Sequence, residues 1–71
     1  MTIEKDGYRL VHKNTLKDVN VGEELPDFRG DAGVIEGGYP PTHEGSTGRV
    51  QIKDRLSTLF PSVFGLEWIK T

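Results

Sequence analysis

Between Val19 and Tyr39 the chain reads Val-Asn-Val-Gly-Glu-Glu-Leu-Pro-Asp-Phe-Arg-Gly-Asp-Ala-Gly-Val-Ile-Glu-Gly-Gly-Tyr. That order of residues predicts a turn, a short extended segment ending at Asp27-Phe28-Arg29-Gly30, and a strand carrying Val34 and Ile35. Pro26 has no amide hydrogen to give to a ladder, so its segment belongs at a sheet edge. The glycines at 33, 37 and 38 predict a bulge or sharp coil in the strand. A small barrel needs such a bend where one strand serves two sheets. The segments before and after this stretch read as its pairing partners.

Tyr8-Arg9-Leu10-Val11-His12 is rich in strand-favouring residues, with Tyr8, Leu10 and His12 on one face and Arg9 and Val11 on the other. The first seven residues are polar apart from Ile3 and predict a frayed start. Residues 15–21 suit either a second short strand or an extended loop. In Arg49-Val50-Gln51-Ile52-Lys53 apolar and polar residues alternate cleanly, the mark of a strand with one buried face. Residues 56–60 form another strand candidate, ended by Pro61. Ser62 to Gly65 suits a single 3-10 turn, and residues 66–70 close the sheet. Tyr39 to Gly48 is a long irregular stretch, and Pro40-Pro41 forces it to start extended.

Five or six short strands without an amphipathic helix imply an all-β sandwich or barrel. The 71 residues make one domain, too small for a drug-sized enclosed cavity. A small SH3-like barrel is the expected fold, because closure hides edges that an open sheet exposes. The 3-10 turn before the last strand is a feature of that barrel.

The chain has no cysteine, whereas small secreted domains usually rely on disulfides or a metal. Met-Thr-Ile-Glu-Lys-Asp is too polar for a signal peptide, and no apolar run reaches membrane-spanning length. A cytoplasmic protein that does not engage membranes is the expectation.

Net charge is −2, which gives no bulk signal for nucleic acid. From Val19 to Gly48 the only Lys or Arg is Arg29, against six acids; Arg49, Lys53 and Arg55 then follow closely. Cross-strand pairing of acidic and basic strands accounts for this arrangement. No arrangement of residues predicts catalysis, a cofactor or a metal. His12 and His43 are far apart with no ligand spacing around them. The glycines lack the Lys-Ser/Thr of a phosphate loop. Arg29-Gly30-Asp31 matches the integrin-binding tripeptide but reads as a turn.

Aromatic residues offer both core and surface. Trp68 and at least one phenylalanine are expected inside. Phe28 with Arg29 at a turn, and Tyr39 at the start of the long loop, are the candidates for an exposed aromatic–arginine surface.

The pattern Val21-Gly22, Asp27-Phe28-Arg29-Gly30-Asp31, Gly33-Val34-Ile35, Gly45-Ser46-Thr47-Gly48-Arg49-Val50 and Phe60-Pro61-Ser62-Val63-Phe64-Gly65-Leu66-Glu67-Trp68 resembles a group of small uncharacterised proteins encoded by bacteriophages and prophages. The resemblance runs from about Leu16 to Ile69 and brings no activity with it. Val19-Asn20-Val21-Gly22 and Gly33-Val34-Ile35 also resemble the KOW and Tudor branches of SH3-like barrels, whose members often bind RNA, DNA or transcription machinery. The expected role is a non-catalytic module that docks on a protein partner. One alternative is a nucleic-acid binder using Arg49, Lys53 and Arg55 with Phe28 or Tyr39. Another is a structural subunit of a larger assembly; the sequence does not fix the oligomeric state.

Overall fold

The computed structural model describes residues 1–71. It holds six strands: β1 (Glu4–Lys5), β2 (Tyr8–His12), β3 (Glu24–Pro26), β4 (Ala32–Tyr39), β5 (Arg49–Ile52) and β6 (Leu66–Lys70). A 3-10 turn, Pro61–Phe64, precedes β6, and there is no α-helix. The strands form two antiparallel sheets, β1-β2-β6 and β3-β4-β5, and neither closes on itself. No helix is long and apolar enough to cross a membrane.

The core lies between the sheets. Ile3, Leu10, Leu66 and Trp68 come from the β1-β2-β6 side, and Ile35, Val50 and Ile52 from the other; Val19 and Phe64 complete the cluster. The alternation of Val50 and Ile52 sends both inward while Arg49 stays exposed. Two-residue periodicity alone would bury only one face of β2. Leu10 and Val11 are nonetheless both fully buried, because the 17–19 segment crosses the same strand: Val19 N–H donates to Leu10 O, and His12 N–H donates to Lys17 O.

Two expectations meet a different arrangement. Residues 1–7 are paired: Thr2 bridges Asn20, Ile3 N–H donates to Val19 O, and Ile3 is buried. One apolar residue among polar neighbours is enough to dock this edge. Of the two readings of residues 15–21 the structure takes the loop, with isolated bridges at Asp18 and Asn20. Residues 56–60 are not a strand. Leu59 alone bridges Val50, and Leu56 is fully exposed; the alternation there is too irregular to support a ladder.

The other features follow the sequence. The register of β4 against β5 slips between Ile35 and Gly37, which is the bulge the glycines require. Pro26 sits on the edge strand β3. Arg29-Gly30-Asp31 lies in the β3–β4 turn, where Asp27 Oδ1 accepts the amides of Arg29 (2.8 Å) and Asp31 (3.0 Å).

Side-chain contacts tie the loop before β3 to β2: Arg9 pairs with Asp18 at 3.5 Å, and Glu23 reaches His12. His12 Nε2–H donates to Glu23 Oε1 at 2.7 Å, and Asn20 N–H donates to Glu23 Oε2 at 2.7 Å. Partial burial pushes the Glu23 carboxyl up. The Asn20 amide and the His12 ring outweigh it and hold the group below its ordinary value. A carboxylate with a depressed folded pKa stabilises the fold above its unfolded pKa, and that stabilisation is lost as pH falls. Thermal melts taken from about pH 6 down to about pH 3 should therefore show a falling Tm, and Glu23→Gln should flatten that slope. An unchanged slope in the variant would remove Glu23 from the acid response.

Candidate interaction site

Tyr39 ends β4 and Arg49 begins β5, and the two stand directly opposite each other in the ladder. Cross-strand partners have Cβ atoms about 5 Å apart, so their side chains share one patch of surface. Two more groups join them. The Leu59–Val50 bridge (2.8 and 3.0 Å) lays residues 59–60 beside β5. Leu59 packs against the core, so its neighbour Phe60 is turned outward. Pro61 then starts the 3-10 turn and holds Phe60 extended (φ −68°, ψ 140°).

The Arg49 guanidinium lies over the Phe60 ring at 4.2 Å from its centroid, and Lys5 Nζ lies over the Tyr39 ring at 4.7 Å. The result is a row of four side chains: Lys5, Tyr39, Arg49, Phe60. Each cation–ring contact contributes about 0.5–1 kcal/mol at an exposed site. Their larger effect is to restrain the two long cationic side chains before anything binds. Both rings remain about half exposed, 52% for Tyr39 and 51% for Phe60.

Arg49 is fixed at its backbone as well. The Trp68 indole Nε1–H donates to Arg49 O at 3.1 Å. Gly48, just before it, has φ +76° and lies against the Trp68 ring. That left-handed turn lets the chain enter β5 pressed onto the indole. Arg49 is therefore anchored to the core through its carbonyl and to the surface through its guanidinium.

The long loop walls the row on one side. Ser46 N–H donates to His43 O at 3.2 Å, and Ser46 Oγ accepts Gly48 N–H at 3.2 Å. Between this loop and the row lies an open groove of about 370 Å³, lined by Tyr39, Arg49 and Phe60 together with Thr42, His43 and Thr47. Its walls carry hydroxyls, an imidazole and a guanidinium. With the Tyr39 and Phe60 rings and Pro40 beside them, that lining suits a ligand carrying both polar and apolar groups.

The other sequence-chosen residues gather elsewhere. Phe28 is 77% exposed at the β3–β4 turn, and the Arg29 guanidinium lies 5.5 Å from its ring centroid. Desolvation pushes the Asp27 carboxyl up, but the Arg29 and Asp31 amides and the positive charges of Arg29 and Arg55 hold it below its ordinary value. Arg55 therefore belongs to this second cluster, and Lys53 follows β5 at the same end, its amide donating to Val34 O at 2.9 Å. Lys53 lies four residues from Arg49 along the chain, roughly 13 Å, while the eight residues of β4 at about 3.3 Å each put the β3–β4 turn roughly 20–25 Å from Tyr39. The six chosen residues thus form two surfaces, and no single ligand of small size touches both.

Lys5 and Phe60 were not among the residues chosen from sequence. Phe60 carried a signal: it alternates with Leu59 and precedes Pro61. Lys5 carried none, since its placement depends on the docking of Ile3. His12 is held by Glu23, and His43 Nδ1–H donates to Glu44 O at 3.0 Å. No three His, Cys, Asp or Glu residues gather closely enough to hold a metal ion.

No protein-family model, curated protein or solved structure matches the chain. The phage-protein and KOW/Tudor resemblances therefore gain no relative to stand on.

Proposed function

We propose that the protein is a non-catalytic interaction module of the SH3-like kind, a small phage- or prophage-type protein that docks on another protein through the Lys5–Tyr39–Arg49–Phe60 row. The observation behind this reading is the pre-ordered pair of cations on half-exposed rings beside an open groove. Exposed aromatic and arginine side chains are the residue types that dominate protein interfaces. Two three-stranded sheets around one core, with a 3-10 turn before the last strand, are the parts an SH3-like barrel is built from.

The test is photo-crosslinking in extracts of the source cells, with a benzophenone side chain placed at Thr42 on the groove wall. Each extract is split into nuclease-treated and untreated halves. The expected result is one discrete protein adduct in both halves, lost when Arg49→Ala is added. An adduct that disappears with nuclease would replace this reading with nucleic-acid binding. An adduct untouched by Arg49→Ala would move the docking face elsewhere.

A further inference from the structure

We infer that the row recognises an extended acidic segment of its protein partner, with two carboxylate side chains two residues apart, one on Arg49 and the other on Lys5. This rests on the docking role proposed above and gives it a partner chemistry.

The first argument is charge. The intramolecular ion pair is Arg9–Asp18 (3.5 Å), and Glu23 is hydrogen-bonded to His12 (2.7 Å). Every Lys and Arg but Arg9 lacks a carboxylate partner within the chain; Lys5 and Arg49 stand out because they share one patch of surface. Both are held over rings instead, with N–H groups free at their edges. A guanidinium restrained in this way offers a carboxylate two parallel hydrogen bonds, which are stronger than those between neutral groups.

The second argument is spacing. Lys5 and Arg49 are separated in the row by Tyr39, which faces Arg49 across one strand spacing. That places the two cations on one patch of surface, within reach of a single short segment. Side chains on one face of an extended peptide repeat at about 6.6–6.8 Å, the distance between residues i and i+2. The residue between the two acids then points away from the row, over the groove. The hydroxyls of Thr42 and Thr47 line that groove and can meet its backbone.

The third argument separates a peptide from a nucleic acid. A single strand would need free ring faces for base stacking, and one face of each ring is already covered by a cation. It would also need a field of many cations to release counterions, whereas this chain carries a net charge of −2. Two neighbouring cations on a chain of net charge −2 fit two localised anions.

The test is a ribosome-displayed library of peptides with nine random positions (about 30 Å when extended, enough to overhang the row at both ends), selected on the wild-type protein and counter-selected on the Lys5→Ala/Arg49→Ala double variant. The expected result is enrichment of Asp or Glu at two positions two apart. In fluorescence anisotropy, replacing both acids by Asn or Gln in an enriched peptide should weaken binding by at least about tenfold, as should Arg49→Ala, since each removes a charge-assisted pair. Circular dichroism melts of the variants confirm that they stay folded. Enriched peptides without acids, no enrichment at all, or an unlabelled oligothymidylate that outcompetes the acidic peptide would each overturn the inference. A protein adduct at Thr42 alongside any of these results would leave the docking role standing and remove only its acidic chemistry. Absence of both would remove the two together.

Discussion

Trp68→Ala is expected to leave no cooperative thermal transition. The indole is 6% exposed and touches both halves of the core. Truncating a buried tryptophan costs about 3–5 kcal/mol. A chain of 71 residues holds only roughly 4–10 kcal/mol in total at the usual stability per residue. The variant also leaves the Arg49 carbonyl without its 3.1 Å donor, so the start of β5 loosens along with the core. Trp68→Phe separates the two effects. It keeps most of the apolar volume and removes the hydrogen bond, so it should stay folded with a loss of about 1–3 kcal/mol. Near-ultraviolet circular dichroism and thermal melts read both outcomes. A Trp68→Ala protein with an unaltered Tm would mean that β6 does not hold the two sheets together.

Gly48→Ala should be among the most damaging of the small changes. At φ +76° an added Cβ would lie 2.6 Å from both Trp68 Cδ1 and the Tyr39 carbonyl oxygen. A residue other than glycine in the left-handed region costs about 1–2 kcal/mol, and overpacking a tight site costs about 1–3 kcal/mol more. Gly45→Ala is the matched control. Its φ is +86°, but nothing lies within 4 Å of the added Cβ, so it should show only the conformational part, about 1–2 kcal/mol. Denaturant melts of the pair report the steric part as a difference. Equal losses in the two variants would show that Gly48 does not press on the indole. The same displacement should tilt Arg49 off Phe60, so binding measured on any Gly48→Ala protein that folds would fall too.

These two sites also show what a reader of the sequence could and could not see. Trp68 was legible because an aromatic in a short apolar run near the end of a small all-β chain has few places to go but the core. The β5 alternation, the β4 bulge, the edge proline and the turn at Arg29-Gly30-Asp31 were legible for the same reason: each is set by a residue's own covalent geometry or by a period of two. Tyr39 and Arg49 could each be picked out, but their pairing could not, since it depends on the register across an irregular loop. β1 was illegible because a two-residue exposed strand has no pattern, and its docking is decided by Ile3 meeting Val19 and Leu10. Residues 56–60 misled for the opposite reason. Leu56, Leu59 and Phe60 are apolar enough to suggest a strand, yet only Leu59 packs against the core while Leu56 and Phe60 face solvent. Apolar content without strict alternation does not specify a ladder.

The position of β2 has a kinetic consequence. It is the central strand of its sheet, flanked by β1 on one side and β6 on the other, so its pairing is completed only when β6 arrives. β6 also brings Leu66 and Trp68 into the core. A chain growing from the ribosome can form the β3–β4 turn and the β4–β5 hairpin early, since both are local. It cannot complete the burial of Leu10 until residues 66–70 have been synthesised. Long-range pairing of this kind makes folding slow and leaves apolar surface open in the meantime. For this protein the nascent state, with β2 waiting for its second neighbour, is the period of greatest exposure to aggregation and to proteases.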